Sequence, residues 1–417
     1  MTTDRLERAL PDLLLDLYLQ PSVPYRDDLL GQTAATSQRP AWTFPERWLP
    51  MADIASRPAF APRMPLRLLA VALLMIALLV SAVVFVGSRQ TKLPPPFGPA
   101  GNGVIPYSSG GDIYVGDPVT GATTLLVGGA ATDELPQFSP DGTRIAFIRA
   151  VAPGPDTIDI FVARADGSDL RRVTPEPIDR WEWITWTPDG RHIAAIHDDT
   201  RLDLFDAGGS GSVEHVADIE GMDYIQFRPP DGAQILYRAL VDGKWGLFEM
   251  DADGTNVRTI LPPTVPGQVD MSFSGATYSA DGSRIFYEHG DEAGCCRLWV
   301  VDADGTDAHE FLPRGEAWDG VAVVSPDGTR IAYWHVTDTG HITVVRADGT
   351  GPVIETGPRI SDTAHWVWSP DSSKILMFPN DVTTGKAYLL DPAGGPWTTV
   401  AWESIGDIDW QRTALDP

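Results

Sequence analysis

Acidic side chains recur at one place in this sequence. Asp133 and Glu134, Glu182, Asp223, Asp270, Asp319, Asp362 and Asp407 each stand a few residues ahead of an apolar strand pattern, at intervals in the forties. Carboxylates gathered into a ring offer hard oxygen ligands to a divalent cation and a counter-charge to the basic end of a peptide. These eight are the candidate ligand-binding residues. The alternative is an ordinary solvated rim on an acidic domain, and which metal, if any, such a ring would hold is left open.

Other residue types capable of chemistry are present without the spacing that chemistry needs. DADGTN from Asp251 and DADGTD from Asp302 resemble a calcium loop, but the Gly is fourth rather than sixth and no Glu closes the loop, so hairpin turns are expected. The eight histidines all follow residue 190; His335, His341 and His365 come nearest to a cluster, and no HxxxH or HExxH is formed. Cys295 and Cys296 are the two cysteines, adjacent, which leaves no CxxC pair and no disulfide framework; two free thiols or a strained vicinal disulfide remain open. No GxSxG elbow, phosphate loop or dinucleotide fingerprint occurs, and no length remains beyond Pro417 for an appended hydrolase domain. The chain therefore reads as a non-enzyme without a resident cofactor, apart from a divalent cation that the acidic ring could take at a channel mouth.

The elements that must position these residues come from a repeated cassette. It reads FSPDGTRIAFI from Phe138, WTPDGRHIAAI from Trp186, YSADGSRIFYE from Tyr278 and VSPDGTRIAYW from Val324, with looser copies FRPPDGAQILY from Phe227 and WSPDSSKILMF from Trp368. Pro ends the incoming strand, Asp-Gly makes the turn, and the alternating apolar run returns. Aligned on the Asp, from Asp141 to Asp371, the copies step by 48, 42, 50, 46 and 44 residues. Behind the cassettes of Phe138, Phe227, Tyr278 and Val324 comes a second Gly-turn hairpin, such as DIFVARADGSDLRRV from Asp159. Two hairpins make four strands, one blade of a propeller. The aromatics at Phe138, Trp186, Phe227, Tyr278, Trp368 and Trp410 are expected to pack between blades.

Both ends of the region hold leftovers. Val104 to Tyr107, Asp112 to Val115 and Thr123 to Val127 lack a cassette strand, and Gly406 to Gln411 is a cassette strand with nothing after it. Joined, they make one more blade, and the 308 residues from Val104 to Gln411 give 44 per blade over seven. An all-β, seven-bladed β-propeller closed by its C-terminal strand is expected over residues 104–412, with six blades as the alternative. The cassette pattern resembles the TolB-like β-propeller repeat from about Val104 to Arg412. That resemblance implies a fold and little about function, because propellers host unrelated activities.

Residues 1–66 read as a small amphipathic helical module: Leu6, Leu10, Leu13, Leu14, Leu17 and Tyr18 share one helical face, interrupted by Pro11. Leu68 to Gly87 is a run of twenty residues without a charge, long enough for a transmembrane helix over about 67–88. Arg47, Arg57, Arg63 and Arg67 precede it, against Arg89 and Lys92 after it, so the N-terminus is expected in the cytoplasm and the propeller outside the cell membrane. Residues 89–103, rich in Pro and Gly, read as a linker, stiff first and loose afterwards. Net charge is −26; nine Lys and Arg against eight Asp and Glu precede residue 90, leaving 22 against 49, a net of −27, to the rest. Such a field repels nucleic acid and favours cations or basic partners.

The layout is similar to that of transmembrane anti-sigma regulators, though no HxxxCxxC zinc motif precedes Leu68. The expected function is a single-pass membrane-anchored propeller binding a protein, peptide or small ligand, with a cytoplasmic protein partner at the N-terminal module. An envelope scaffold and a propeller enzyme acting on glycans or peptides are the alternatives.

Overall fold

The structure, a computed structural model, describes residues 73–76, 93–151, 157–179, 184–198, 200–263, 276–290, 296–312, 318–360, 364–379, 386–400, 402 and 408–415; the side chains at 296, 318, 319 and 321 lie outside the description. Residues Met1–Arg89 and Gln90–Pro417 form separate units. In the first, residues 73–76 are helical; among the described residues no helix is long and apolar enough to cross a membrane. The rest of the 68–87 run and the expected N-terminal helices lie outside the described residues.

The second unit is a seven-bladed propeller. Each of seven sheets pairs its strands antiparallel in sequence order. Blade 1 is Ile105–Ser109, Asp112–Gly116 and Thr123–Val127. Blades 2 to 7 begin with Asp133–Phe138, Ile184–Trp186, Tyr224–Phe227, Thr277–Tyr278, Trp318–Val324 and Ala364–Trp368, the innermost strands that surround a propeller axis. Blade 2 carries a further short strand, Ile178–Asp179, paired with Thr157–Arg164.

Five of the six cassette turns share one hydrogen-bond pattern, and the Phe227 copy, without a hydroxyl residue after its aromatic, keeps only the bond from the Ala233 N–H to Asp231. In the first, Ser139 Oγ donates to Asp141 (2.6 Å), whose carboxylate accepts the Thr143 backbone N–H (3.0 Å), while Ser139 Oγ accepts the Arg144 N–H (3.0 Å). The copy at Asp281 is drawn so tightly by the Ser279 hydroxyl and the Ser283 N–H that its carboxyl is held down to about 2. Gly142, Gly190, Gly232, Gly282 and Gly328 all have positive φ, and Ser372 keeps the same conformation (φ 63) where the sixth copy lacks Gly. A left-handed non-Gly residue costs roughly 1–2 kcal/mol; the Ser372 hydroxyl, which accepts the Asp327 N–H at 3.0 Å, offsets part of it. In the calcium-like loops Asp253 and Asp304 accept from Thr255 and Thr306 two residues on, which makes them turns.

The core lies between blades. Phe138, Trp186, Phe227, Tyr278, Trp368 and Trp410 are all buried. Each apolar cluster joins neighbours, as where Ile105 and Tyr107 of blade 1 pack with Leu376, Phe378 and Ala387 of blade 7 and with Trp402 and Trp410. The indole N–H groups stitch backbone across the same seams: Trp186 donates to Gln137 O (3.1 Å) and Trp368 to Val323 O (2.9 Å).

The C-terminal segment closes the ring. Ile408 bridges Tyr107 antiparallel, Gln411 N–H donates to Val104 O (3.0 Å), and Gly103 N–H to Gln411 O (2.9 Å). Beyond them Gly101–Asn102 pairs with Arg412–Thr413. Trp410 donates to Gly103 O (3.1 Å), and the Gln411 amide reaches Gly142 O of blade 2 (2.8 Å). Gly406 and Asp407 lie outside the described residues. The stretch read as the loose half of a linker is packed on the propeller instead: Ala100 is buried and donates to Pro370 O (2.9 Å), and Phe97 lies against the cluster that holds Ile225 and Phe227. Apolar side chains and the strand pairing of Gly101 outweigh the local preference of Pro and Gly for an open chain.

Candidate functional site

The innermost strands of blades 2, 3 and 4 and the closing segment converge on a cavity of about 420 Å³. Gln137, Thr185, Gln226 and Asp409 line it, and each occupies the same place, immediately before the inter-blade aromatic. The pleat explains this, since successive residues face opposite sides and a buried aromatic turns its predecessor away from the core. The other three blades carry Thr277, Val323 and Val367 at this place. Asp409 is thus its single charged member. Pro96 and Phe97, from the segment leading into the propeller, complete one wall.

These side chains also tie blade to blade. Gln137 Nε2 donates to Ile184 O of blade 3 (3.1 Å), and Gln226 Oε1 accepts the Tyr278 N–H of blade 5 (2.9 Å). Asp409 accepts the Phe138 N–H of blade 2 at Oδ2 (2.8 Å) and its neighbour Trp410 N–H at Oδ1 (2.7 Å). Burial pushes its carboxyl up to about 6 against those two bonds and the field of Arg412. Among the described residues Asp409 makes no salt bridge. Arg412 turns Nη2 to the carbonyls of Pro95 (3.1 Å) and Gly98 (2.5 Å), while its buried Nε has no hydrogen-bond partner among the described residues. Burial lowers the affinity of Arg412 for its proton and raises that of the Tyr224 phenol on the same wall.

The acidic ring lies elsewhere. Asp133 begins the strand that Phe138 ends, about 16 Å away at 3.3 Å per residue. It is 1% exposed, and both its oxygens accept from Arg149 (2.6 and 2.8 Å), which lies over the faces of Phe147 and Phe161. Asp223 likewise accepts from Arg238 Nε (2.9 Å) and Nη2, with Arg238 over Trp245. Glu134 is half-buried beside Asp133, and the backbone of Asp319 pairs with His335. Glu182, Asp270, Asp362 and Asp407 lie outside the described residues. Among the described residues no three His, Cys, Asp or Glu side chains converge as metal ligands.

The histidines separate into two places. His335 and His341 face each other across neighbouring strands of blade 6 at 5.4 Å, and His341, whose Nε2 lies 3.6 Å from Glu355, is held below the usual imidazole range chiefly by burial. His365 stands in blade 7. In blade 3, His197 and His215 flank the buried Asp203 at 3.0 and 2.9 Å, with Arg201 also on its carboxylate. That last group escapes a search for motifs because its members are cross-strand neighbours. The ring at 137, 185, 226 and 409 has a sequence signal, the residue before each cassette aromatic, visible once the repeats are aligned.

No family model and no curated protein matches the chain. Solved structures do. TolB from Acinetobacter baumannii is 19% identical with a TM-score of 0.47, over 64% of this chain and 66% of that one. An oligogalacturonate lyase in complex with manganese is 13% identical with a TM-score of 0.55, over 73% and 85%. Prolyl endopeptidases are 14% identical with a TM-score of 0.53, over 79% of this chain and 52% of theirs. The chain thus spans just under two thirds of the TolB chain and about half of the endopeptidase. At such identities what is shared is the propeller fold, carried by proteins with unlike functions.

Proposed function

We propose that the chain is a membrane-anchored propeller that binds a small ligand in its axial cavity outside the cell and passes that state to a cytoplasmic partner of residues 1–66. The observation that carries the binding reading is the convergence of Gln137, Thr185, Gln226 and Asp409, from equivalent places in consecutive blades, on one cavity. Concave sites with an apolar wall and a few placed polar groups are where small ligands bind. Anchoring rests on the uncharged run from Leu68 to Gly87 and the arginines before it.

Protease added to intact cells is expected to digest the propeller and leave the first 66 residues protected; a protected propeller reverses the orientation. For binding, the full chain in detergent is screened by thermal melting against small cationic, neutral and anionic compounds, beside Thr185→Phe, which fills the cavity. A ligand held only by the native state raises its melting temperature by mass action. Compounds that stabilise the natural chain and not Thr185→Phe are the expected result, and a screen with no such compound in any class ends the binding reading.

A further inference from the structure

We infer that the cavity is built for a cationic head group, a primary or secondary ammonium on an apolar or aromatic body, with the ammonium at Asp409 and the body against Phe97. The inference rests on the binding reading above and names the ligand class for the same site.

Three observations carry it. Among the described residues Asp409 is the one acid that lines the cavity, and it makes no salt bridge. The field of Arg412 offsets only part of the cost of desolvating this carboxylate, and an ammonium entering beside it recovers more of what burial has taken. Its two oxygens are positioned by the Phe138 and Trp410 N–H groups, so the acceptor is fixed before a ligand arrives. Secondly, Arg412, the cation that could favour an anion, has its Nη2 committed to the Pro95 and Gly98 carbonyls. Thirdly, Phe97, half-buried on the cavity wall beside Pro96, supplies an apolar and aromatic surface, on which a cation's organic body gains both area and π-face attraction. The net charge of −27 after residue 89 concentrates cations around the whole domain.

The test is calorimetric titration of the full chain in detergent with three probes of one shape, benzylammonium, benzyl alcohol and benzoate. At pH 7.5 benzylammonium is expected to bind at least tenfold more tightly than either. Of the described residues lining the cavity only Asp409, Tyr224 and Arg412 titrate. Burial moves the Tyr224 phenol further above neutrality, and Arg412 keeps its charge. The preference for the ammonium should therefore fade between pH 7.5 and 5 as Asp409 takes up its proton near 6. Asp409→Asn is expected to abolish the preference, but Asn can accept only one of the two N–H groups, so its melting is followed alongside. Phe97→Ala keeps the charge and should weaken benzylammonium while leaving methylammonium unchanged. Equal binding of the three probes, a preference for benzoate, or a pH-independent preference overturns the cationic class while leaving the cavity a binding site. Failure of every probe, when other classes stabilise the chain in the melting screen, overturns it too.

Discussion

A chain ending at Ser404 is expected to melt far below the intact protein and in one transition. The deletion removes few residues, yet it takes away the Ile408–Tyr107 bridge, the Gln411 bonds to Gly103 and Val104, and the pairing of Arg412–Thr413 with Gly101–Asn102. It also removes Asp409 and Gln411 from blade 2, to which they bond at Phe138 and Gly142. The first strand of blade 1 then presents an unpaired edge, and the cluster that blades 7 and 1 share loses Trp410 and Ile408. Trp410 is 4% exposed in that cluster. Replacing a buried Trp by Ala costs about 3–5 kcal/mol, so Trp410→Ala alone should lower the melting temperature by several degrees. Calorimetry of both variants checks this; a truncated chain that melts like the intact one removes the C-terminal strand from the ring's closure.

Arg149→Ala is expected to be as damaging as any single change in the propeller, about 3–5 kcal/mol, because it leaves the Asp133 carboxylate buried without its cation. Arg149 also covers Phe147 and Phe161, so some packing goes with the charge. Asp133→Asn added to Arg149→Ala removes the stranded charge and should recover a good part of the loss. Chemical denaturation of the two variants decides it: a double variant no more stable than the single one assigns the cost to packing. The pair has a functional consequence, since a carboxylate already held by a guanidinium at 2.6 and 2.8 Å is not free for a ligand.

The blades were legible in the sequence because the physics that makes them is local. Pro, Asp and Gly at fixed offsets dictate a turn whatever surrounds it, and period-two apolar patterns dictate the strands beside it. The closure was legible by counting, since the orphan strand near Trp410 and the incomplete blade from Val104 needed each other. What eluded sequence reasoning depends on register and on contacts between distant segments. Asp133 and Arg149 face each other only because the hairpin pairs them, and Asp223 reaches Arg238, paired with Tyr224, in the same way. The segment around Phe97 reads as linker from its prolines; its place on the propeller follows from Ala100, Gly101 and Phe97 finding partners in blades 7, 4 and the closing strand. The cavity residues were hidden for a related reason: the aromatic of each cassette carries the repeat signal, whereas the neighbour before it faces the cavity.

The most direct test of the account is a crystal structure of the full chain with the compound that most stabilises it in the melting screen. Density for the compound is expected in the axial cavity, against Asp409 and the ring of Phe97, with seven blades closed around it. A compound bound at the Asp133 end of the channel or on the outer strands, with the cavity empty, would contradict the assignment of this site.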